Sequence, residues 1–202
     1  MTRYPDWARA ETAAYELLLR GAEAGAGEGL LPVRPMALLR QVARVLSYDD
    51  AAELLGLTVD DFDRVYSRAD AFTVRQGEQS LVCCRMDGNP ARLNFTLAHE
   101  LGHIMMKHSG DPADEREADH FASCLLVPEP VRRRLMNRPD LTAEDAARLC
   151  YVTVAAVQSA MRRRETSADG ELLARVDALT AAQVDGLKPS QDKGLRHPLR
   201  TN

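Results

Sequence analysis

Two histidines and a glutamate stand at His99, Glu100 and His103, an H-E-x-x-H pentapeptide. On a helix, positions four apart share one face, so both imidazoles can reach a single metal ion. The carboxylate next to the first imidazole is then placed to act on water held by that ion, which is the chemistry of a metal-assisted hydrolase. Such a centre needs a third protein ligand and one position left open. The longer H-E-x-x-H-x-x-G-x-x-H pattern does not supply it. Met106 replaces the glycine, Ser109 replaces the third histidine, and His108 is one residue out of register.

The ligand is better sought on the next helix. Gly110 can end the motif helix, Asp111 can cap the following one and Pro112 suits its first position, with a helical run to about Val127 before Pro128 and Pro130. So short a connection predicts an antiparallel helical hairpin that brings Glu115 beside His103. Glu115, Ala118, Asp119, Ala122, Leu125 and Leu126 share one stripe, whereas Glu117 points more than a quarter-turn away. Glu115 is therefore the expected third ligand. Asp119 is expected to accept a hydrogen bond from the outer nitrogen of a ligating histidine and fix its tautomer. The plainer alternative is a solvated acidic first turn, favoured by the helix dipole. Two imidazoles and a carboxylate suit Zn2+, and Mn2+ or Fe2+ could occupy the same set. His108, Tyr66 and Tyr151 are candidate oxyanion donors, among which the sequence does not choose. His120, about 100° round the helix from Asp119, and His197 are not expected to ligate.

The stretches Arg92-Leu-Asn-Phe-Thr-Leu-Ala-His-Glu-Leu-Gly-His103, Glu115-Arg-Glu-Ala-Asp119-His-Phe-Ala122 and Leu125-Leu-Val-Pro128 resemble the ImmA/IrrE metallopeptidases of bacteria and their mobile elements. The resemblance runs more weakly from about Ala13 to Arg164. It implies a zincin-like α+β fold, mainly helical with a small β-sheet or hairpin, in which the H-E-x-x-H helix pairs with a Glu-bearing helix. It also implies limited proteolysis of a helix-turn-helix transcriptional repressor, relieving repression of a mobile element or stress regulon, with an activator protein as a further partner. The family's metal pair maps onto His99 and His103, its catalytic glutamate onto Glu100, and its third ligand onto Glu115. Many relatives carry asparagine where Asp119 stands, and either side chain can accept from an imidazole N–H.

These groups must be positioned by the rest of a 202-residue chain that is 45% hydrophobic with a net charge of −4, enough for one sizeable core. That balance demands neither nucleic acid nor an acidic membrane as partner. The absence of a bilayer-length apolar run and of an apolar leader suggests a cytoplasmic protein. Cys83, Cys84, Cys124 and Cys150 lack zinc-ribbon spacing and read as buried thiols, with Cys83 or Cys84 reaching the metal as a less favoured option.

The motif helix is expected to start at Leu97 under a Thr96 cap, with Leu97, Ala98, Leu101, Ile104 and Met105 forming its apolar face. Gly102 costs such a helix about 1 kcal/mol relative to alanine, which makes sense where a backbone or substrate approaches closely. Upstream, helices are expected over Asp6–Arg20, closed by Gly21, and over Met36–Leu46, with a flexible 22–29 connection between them. Shorter helices follow over Asp49–Leu55 and from a Thr58 cap with Asp61. Ala71–Arg85 reads as a β-hairpin whose strand could border the cleft and bind an extended peptide.

A peptidase domain over 1–165 is expected, with helix-turn-helix-like pairs at 36–66 and 141–164, a weak helical extension over 166–187, including Gly170–Leu179, and a disordered 188–202 tail. Asp60, Asp61 and Asp63 would face phosphates in the first pair, which argues against direct DNA binding. The basic end of the second, Arg162, Arg163 and Arg164, reads first as a solvated helix end favoured by the dipole, with docking of a repressor or DNA as the less favoured option. The rival to an enzyme is a non-catalytic regulatory module that binds a repressor or DNA through these pairs.

Overall fold

A computed structural model describes residues 3–24, 30–66, 69–163, 168–190 and 199. The expected disorder of most of the tail, Arg164, His197 and most of the 22–29 connection lie outside the described residues.

The motif helix begins earlier than its sequence suggested. It spans Pro90–Met105, because the Asn89 side chain accepts from the N–H groups of Ala91 and Arg92 while Pro90 takes a first-turn position where no N–H is needed. Thr96 lies inside the helix and donates its hydroxyl back to Arg92 O. The next helix, Pro112–Leu126, starts where expected, under an Asp111 cap. Between them the chain reverses through Lys107 at φ 54° and Gly110 at φ 96°. Lys107 N–H bonds to Ile104 O and His108 N–H to His103 O, a Schellman closure. A lysine in the left-handed region costs roughly 1–2 kcal/mol. The reversal is then pinned by Asp114, whose Oδ2 accepts from the N–H groups of Ser109, Gly110 and Asp111.

The remaining elements, numbered with these two in chain order, are α1 (Trp7–Ala24), α2 (Pro35–Val42), β1 (Arg44–Ser47), α3 (Tyr48–Leu55), α4 (Val59–Tyr66), β2 (Ala71–Gln76), β3 (Gln79–Cys84), α5 (Pro90–Met105), α6 (Pro112–Leu126), α7 (Glu129–Met136), α8 (Ala143–Cys150), α9 (Val154–Met161) and α10 (Gly170–Asp185). The architecture is α+β, mainly helical with one small sheet among the described residues. None of these helices is long and apolar enough to cross a membrane.

The sheet has the order β1-β3-β2, with β2 antiparallel and β1 parallel to β3. The β2–β3 hairpin was expected; β1 was not. The helix anticipated to Leu46 stops at Val42, Ala43 is fully extended, and Val45 and Leu46 pair beside Val82 and Cys83. Four residues with no alternation of their own become a strand through a parallel partner far along the chain, a signal that short-range pattern does not carry. Ser47 ends the strand and caps α3 in a capping box with Asp50.

Helices α5 and α6 form the centre of the main core. Leu97, Ala98 and Leu101 are buried against α6, whose Ala118, Phe121, Ala122 and Leu125 are fully buried, and α1 covers α6 with Tyr15 and Leu18. Gly102 sits where the two helices are closest: a β-carbon there would lie 3.0 Å from Phe121 Cδ1 and 3.3 Å from Ala118 Cα. The close approach inferred from Gly102 is thus that of the α6 backbone. Helix α10 runs six residues beyond Leu179, burying Val176, Thr180 and Val184, and Arg134 of α7 pairs with its Asp177 and Asp185.

The helix pairs at issue are α3–α4, within 36–66, and α8–α9, within 141–164. In α3–α4 two of the three acidic side chains serve the fold, with Asp61 bonded to Thr58 and Asp63 paired with Arg85. In α8–α9 Arg162 is exposed, whereas the next arginine of the basic end is taken up by the fold. Arg163 turns inward and donates to Ser123 O and Val127 O at the end of α6. A guanidinium that satisfies a helix C-terminus is not available to phosphates or a docking partner.

Two outcomes follow from this packing. Gly102→Ala gains helix propensity but drives a methyl into fully buried Phe121, so urea unfolding is expected to show a net loss of roughly 1 kcal/mol; unchanged or increased stability would contradict the close-contact account. Burial opposes ionisation of Asp114, yet the three N–H groups and the Arg3 guanidinium outweigh it and hold the carboxyl at about 2, below its ordinary 3.8. A depressed carboxyl stabilises the fold above its ordinary value and loses that contribution as pH falls through the folded one. Asp114→Asn should therefore cost about 1–3 kcal/mol near neutrality, a gap that closes toward about pH 2. A gap independent of pH would contradict the assignment.

Candidate metal centre

His99 and His103 project from the same face of α5, and Glu115 projects toward them from the first turn of α6. Glu115 Oε2 lies 3.4 Å from His99 Nε2 and Oε1 lies 3.5 Å from His103 Nε2. A tetrahedral ion with bonds near 2.0–2.1 Å separates its ligand atoms by about 3.3 Å, so both distances suit a shared ion. The two Nε2 atoms are closer, at 2.9 Å, a hydrogen-bonding separation that a small ring rotation opens to the same spacing. The three residues form one of the groups whose donor atoms all fall within 4.8 Å of one another. The two imidazoles are about four-fifths buried, whereas Glu115 is 68% exposed, so the cluster is closed on the protein side and open toward solvent.

Both imidazoles are held from behind. Asp119, one turn after Glu115, has Oδ1 2.8 Å from His99 Nδ1. Burial tends to lower the basicity of His99, but the Asp119 hydrogen bond and the charges of Asp119, Glu100 and Glu115 more than offset it, and the net shift is upward. His103 moves the other way, down to about 4, through burial and then the neighbouring His99 and His108. A neutral imidazole keeps the lone pair that a metal requires.

Glu100, between the two histidines in sequence, is only 8% exposed. Burial raises its pKa, with the Thr73 hydroxyl and His99 opposing and Glu115 reinforcing the shift. Thr73 Oγ1 donates to Glu100 Oε2 at 2.5 Å. Two positions along β2, Arg75 donates to His103 O at 2.6 Å and to His108 O at 2.9 Å. Thr73 and Arg75 were not anticipated as part of the site. Their signal was the two-residue strand period, which places both on the face of β2 that meets α5.

The candidate oxyanion donors are dispersed. Tyr66 stacks on Phe72 and packs on Phe62, while Tyr151 is the left-handed C-cap of α8 with its carbonyl accepting from Asn94. Neither has a described hydrogen bond or ring contact with His99, Glu100, His103 or Glu115. His108 does approach, but on the Nδ1 side of His103, away from Glu115: its Nδ1 is 3.0 Å from His103 Nδ1 and its Nε2 is 3.1 Å from Glu117 Oε2. The expected quarter-turn displacement of Glu117 takes its side chain into the interior, fully buried.

Among the described residues two further groups have ligand-like spacing, His108–Asp114–Glu117 and Glu11–His120–Cys124. Each already holds a fixed cation. Arg3 pairs with both carboxylates of the first, and Arg163 lies 2.7 Å from Cys124 Sγ in the second. A resident guanidinium disfavours a metal ion by direct repulsion. Cys83 and Cys84 lie in β3, where burial raises both thiols, Cys84 to about 11, and neither belongs to a ligand-like group among the described residues.

No curated protein matches the chain. The family model for Peptidase M78, the IrrE N-terminal-like domain, matches residues 62–162, half of the chain and the whole stretch from α5 through α9. With His99, Glu100, His103, Glu115 and Asp119 all inside that span, the chain belongs to the Peptidase M78 family.

Proposed function

We propose that the chain is a zinc-dependent endopeptidase with a zincin-like fold that performs limited proteolysis of a helix-turn-helix transcriptional repressor in the cytoplasm. The observation that carries the metallopeptidase reading is the convergence of His99 Nε2, His103 Nε2 and Glu115 within one ion's reach, beside a buried carboxylate. The donor set fits zinc, and the open side of Glu115 leaves room for water or a substrate oxygen. An ion in this place supplies polarisation of the scissile carbonyl and acidification of water.

Glu100 does the proton work. Its burial raises its proton affinity, so the carboxylate can take a proton from water and pass it to the leaving amine. The Thr73 hydroxyl occupies one of its oxygens and holds the side chain still, leaving the other for that transfer. Thr73 lies on β2, an edge strand of the three-stranded sheet, so an extended peptide added along that edge would run past Glu100. The repressor as substrate, and an activator that triggers its cleavage, rest on the family resemblance. The inward turn of Arg163 and the paired acids of α4 favour this reading over a DNA-binding module.

Glu100→Gln keeps the ligands and removes the base. The variant should bind one zinc per chain like the parent and cleave a repressor from the neighbouring locus about 100-fold to 10,000-fold more slowly. Cleavage at the parental rate would reject Glu100 as the base. Cleavage by the parent that survives complete removal of metal would reject the mechanism.

A further inference from the structure

The two imidazoles of the proposed centre are supported in different ways. His99 hands its outer nitrogen directly to Asp119, a carboxylate 65% exposed. His103 hands its outer nitrogen to another imidazole. If His103 offers Nε2 to an ion, its proton sits on Nδ1 and must be donated. His108 Nδ1, 3.0 Å away, is the acceptor. That choice leaves the His108 proton on Nε2, facing Glu117 Oε2 at 3.1 Å. Glu117 is fully buried and accepts in addition from the Arg3 guanidinium and from Asp6 N–H at 2.6 Å. Thus one placement of protons satisfies every group from Arg3 to His103.

The backbone is shaped for this contact. Lys107 adopts φ 54°, and the turn bonds His108 N–H to His103 O, folding the His108 ring back under the helix end it has just left. A non-glycine residue in the left-handed region immediately before this histidine is unusual enough to call for a role.

We propose that His108 and Glu117 are positioning residues, a relay that fixes the tautomer and ring orientation of His103 toward the ion and ties metal affinity to the N-terminal segment at Arg3 and Asp6. The proposal rests on the reading of His99, His103 and Glu115 as a metal centre. It gives the chain segment before α1 a function at the site that the segment itself never touches.

The test is zinc affinity of the full chain, measured by competition with a chromophoric chelator, with the d–d absorption of the cobalt-substituted protein as a second signal. His108→Ala should weaken zinc by about 10-fold to 100-fold. The informative pair is His108→Asn and His108→Leu, since the asparagine Oδ1 stands where Nδ1 stands and can accept from His103, whereas leucine cannot. Asparagine should recover most of the lost affinity and the parental cobalt spectrum, and leucine should recover neither. Equal affinity in the two, at the parental value, overturns the relay whatever their melting temperatures. Should these variants fail to fold, Arg3→Ala changes only the partly exposed far end and should still weaken zinc several-fold; unchanged affinity there overturns the relay. Loss of zinc in His99→Ala without any loss in the His108 variants rejects the relay alone. A parent chain that holds no zinc rejects the centre itself.

Discussion

The contact on which the site depends is the near-touching of α5 and α6 at Gly102, where the backbone of one helix meets Ala118 Cα and the ring of Phe121 on the other. Ligand geometry follows from it. Antiparallel helices this close bring the first turn of α6 level with the last two turns of α5, so a short carboxylate chain spans the gap to two imidazoles at 3.4 and 3.5 Å. A helix pair held a methyl group further apart would leave Glu115 short of a shared ion. The Asp114 cap acts on the same distance from the other end, because it fixes the connection that sets how far α6 begins from His103.

Glu100, Glu115, Glu117 and Asp119 all stand on this pair of helices, and their environments assign them different work. Glu100 is buried beside a single hydroxyl donor, and burial raises its pKa. Glu117 is more deeply buried, yet its charge is held by Arg3, Asp6 N–H and His108, and its pKa falls. Glu115 and Asp119 are exposed, one facing both imidazoles and the other bonded behind one of them. Burial alone does not separate a base from a structural anion; the partners of each carboxylate do.

Much of this arrangement was legible in sequence because it is local. The i,i+4 spacing of His99 and His103, the Asp111-Pro112 start of α6 and the common stripe of Glu115 and Asp119 are all helical-period signals, and each side chain lies where that period puts it. What escaped was non-local or depended on choosing between equivalent caps. Thr96 and Asn89 can both start a helix, and only the placement of Pro90 decides. Strand β1 exists through a parallel partner nearly forty residues away. Thr73, Arg75 and the inward His108 act across elements, so no window of sequence displays their contacts. At the end of α9, Arg163 serves as a cap for α6, a contact between elements that no local run of charge displays.

The central claim, that His99, His103 and Glu115 share one ion, is tested most directly by zinc K-edge X-ray absorption on the loaded chain and on Glu115→Ala. The account predicts a shell of nitrogen and oxygen alone at about 2.0–2.2 Å containing two imidazoles, with the carboxylate contribution lost in the variant. A sulfur shell near 2.3 Å would place the ion at Cys124 instead, and a spectrum unchanged by the substitution would remove Glu115 from the centre.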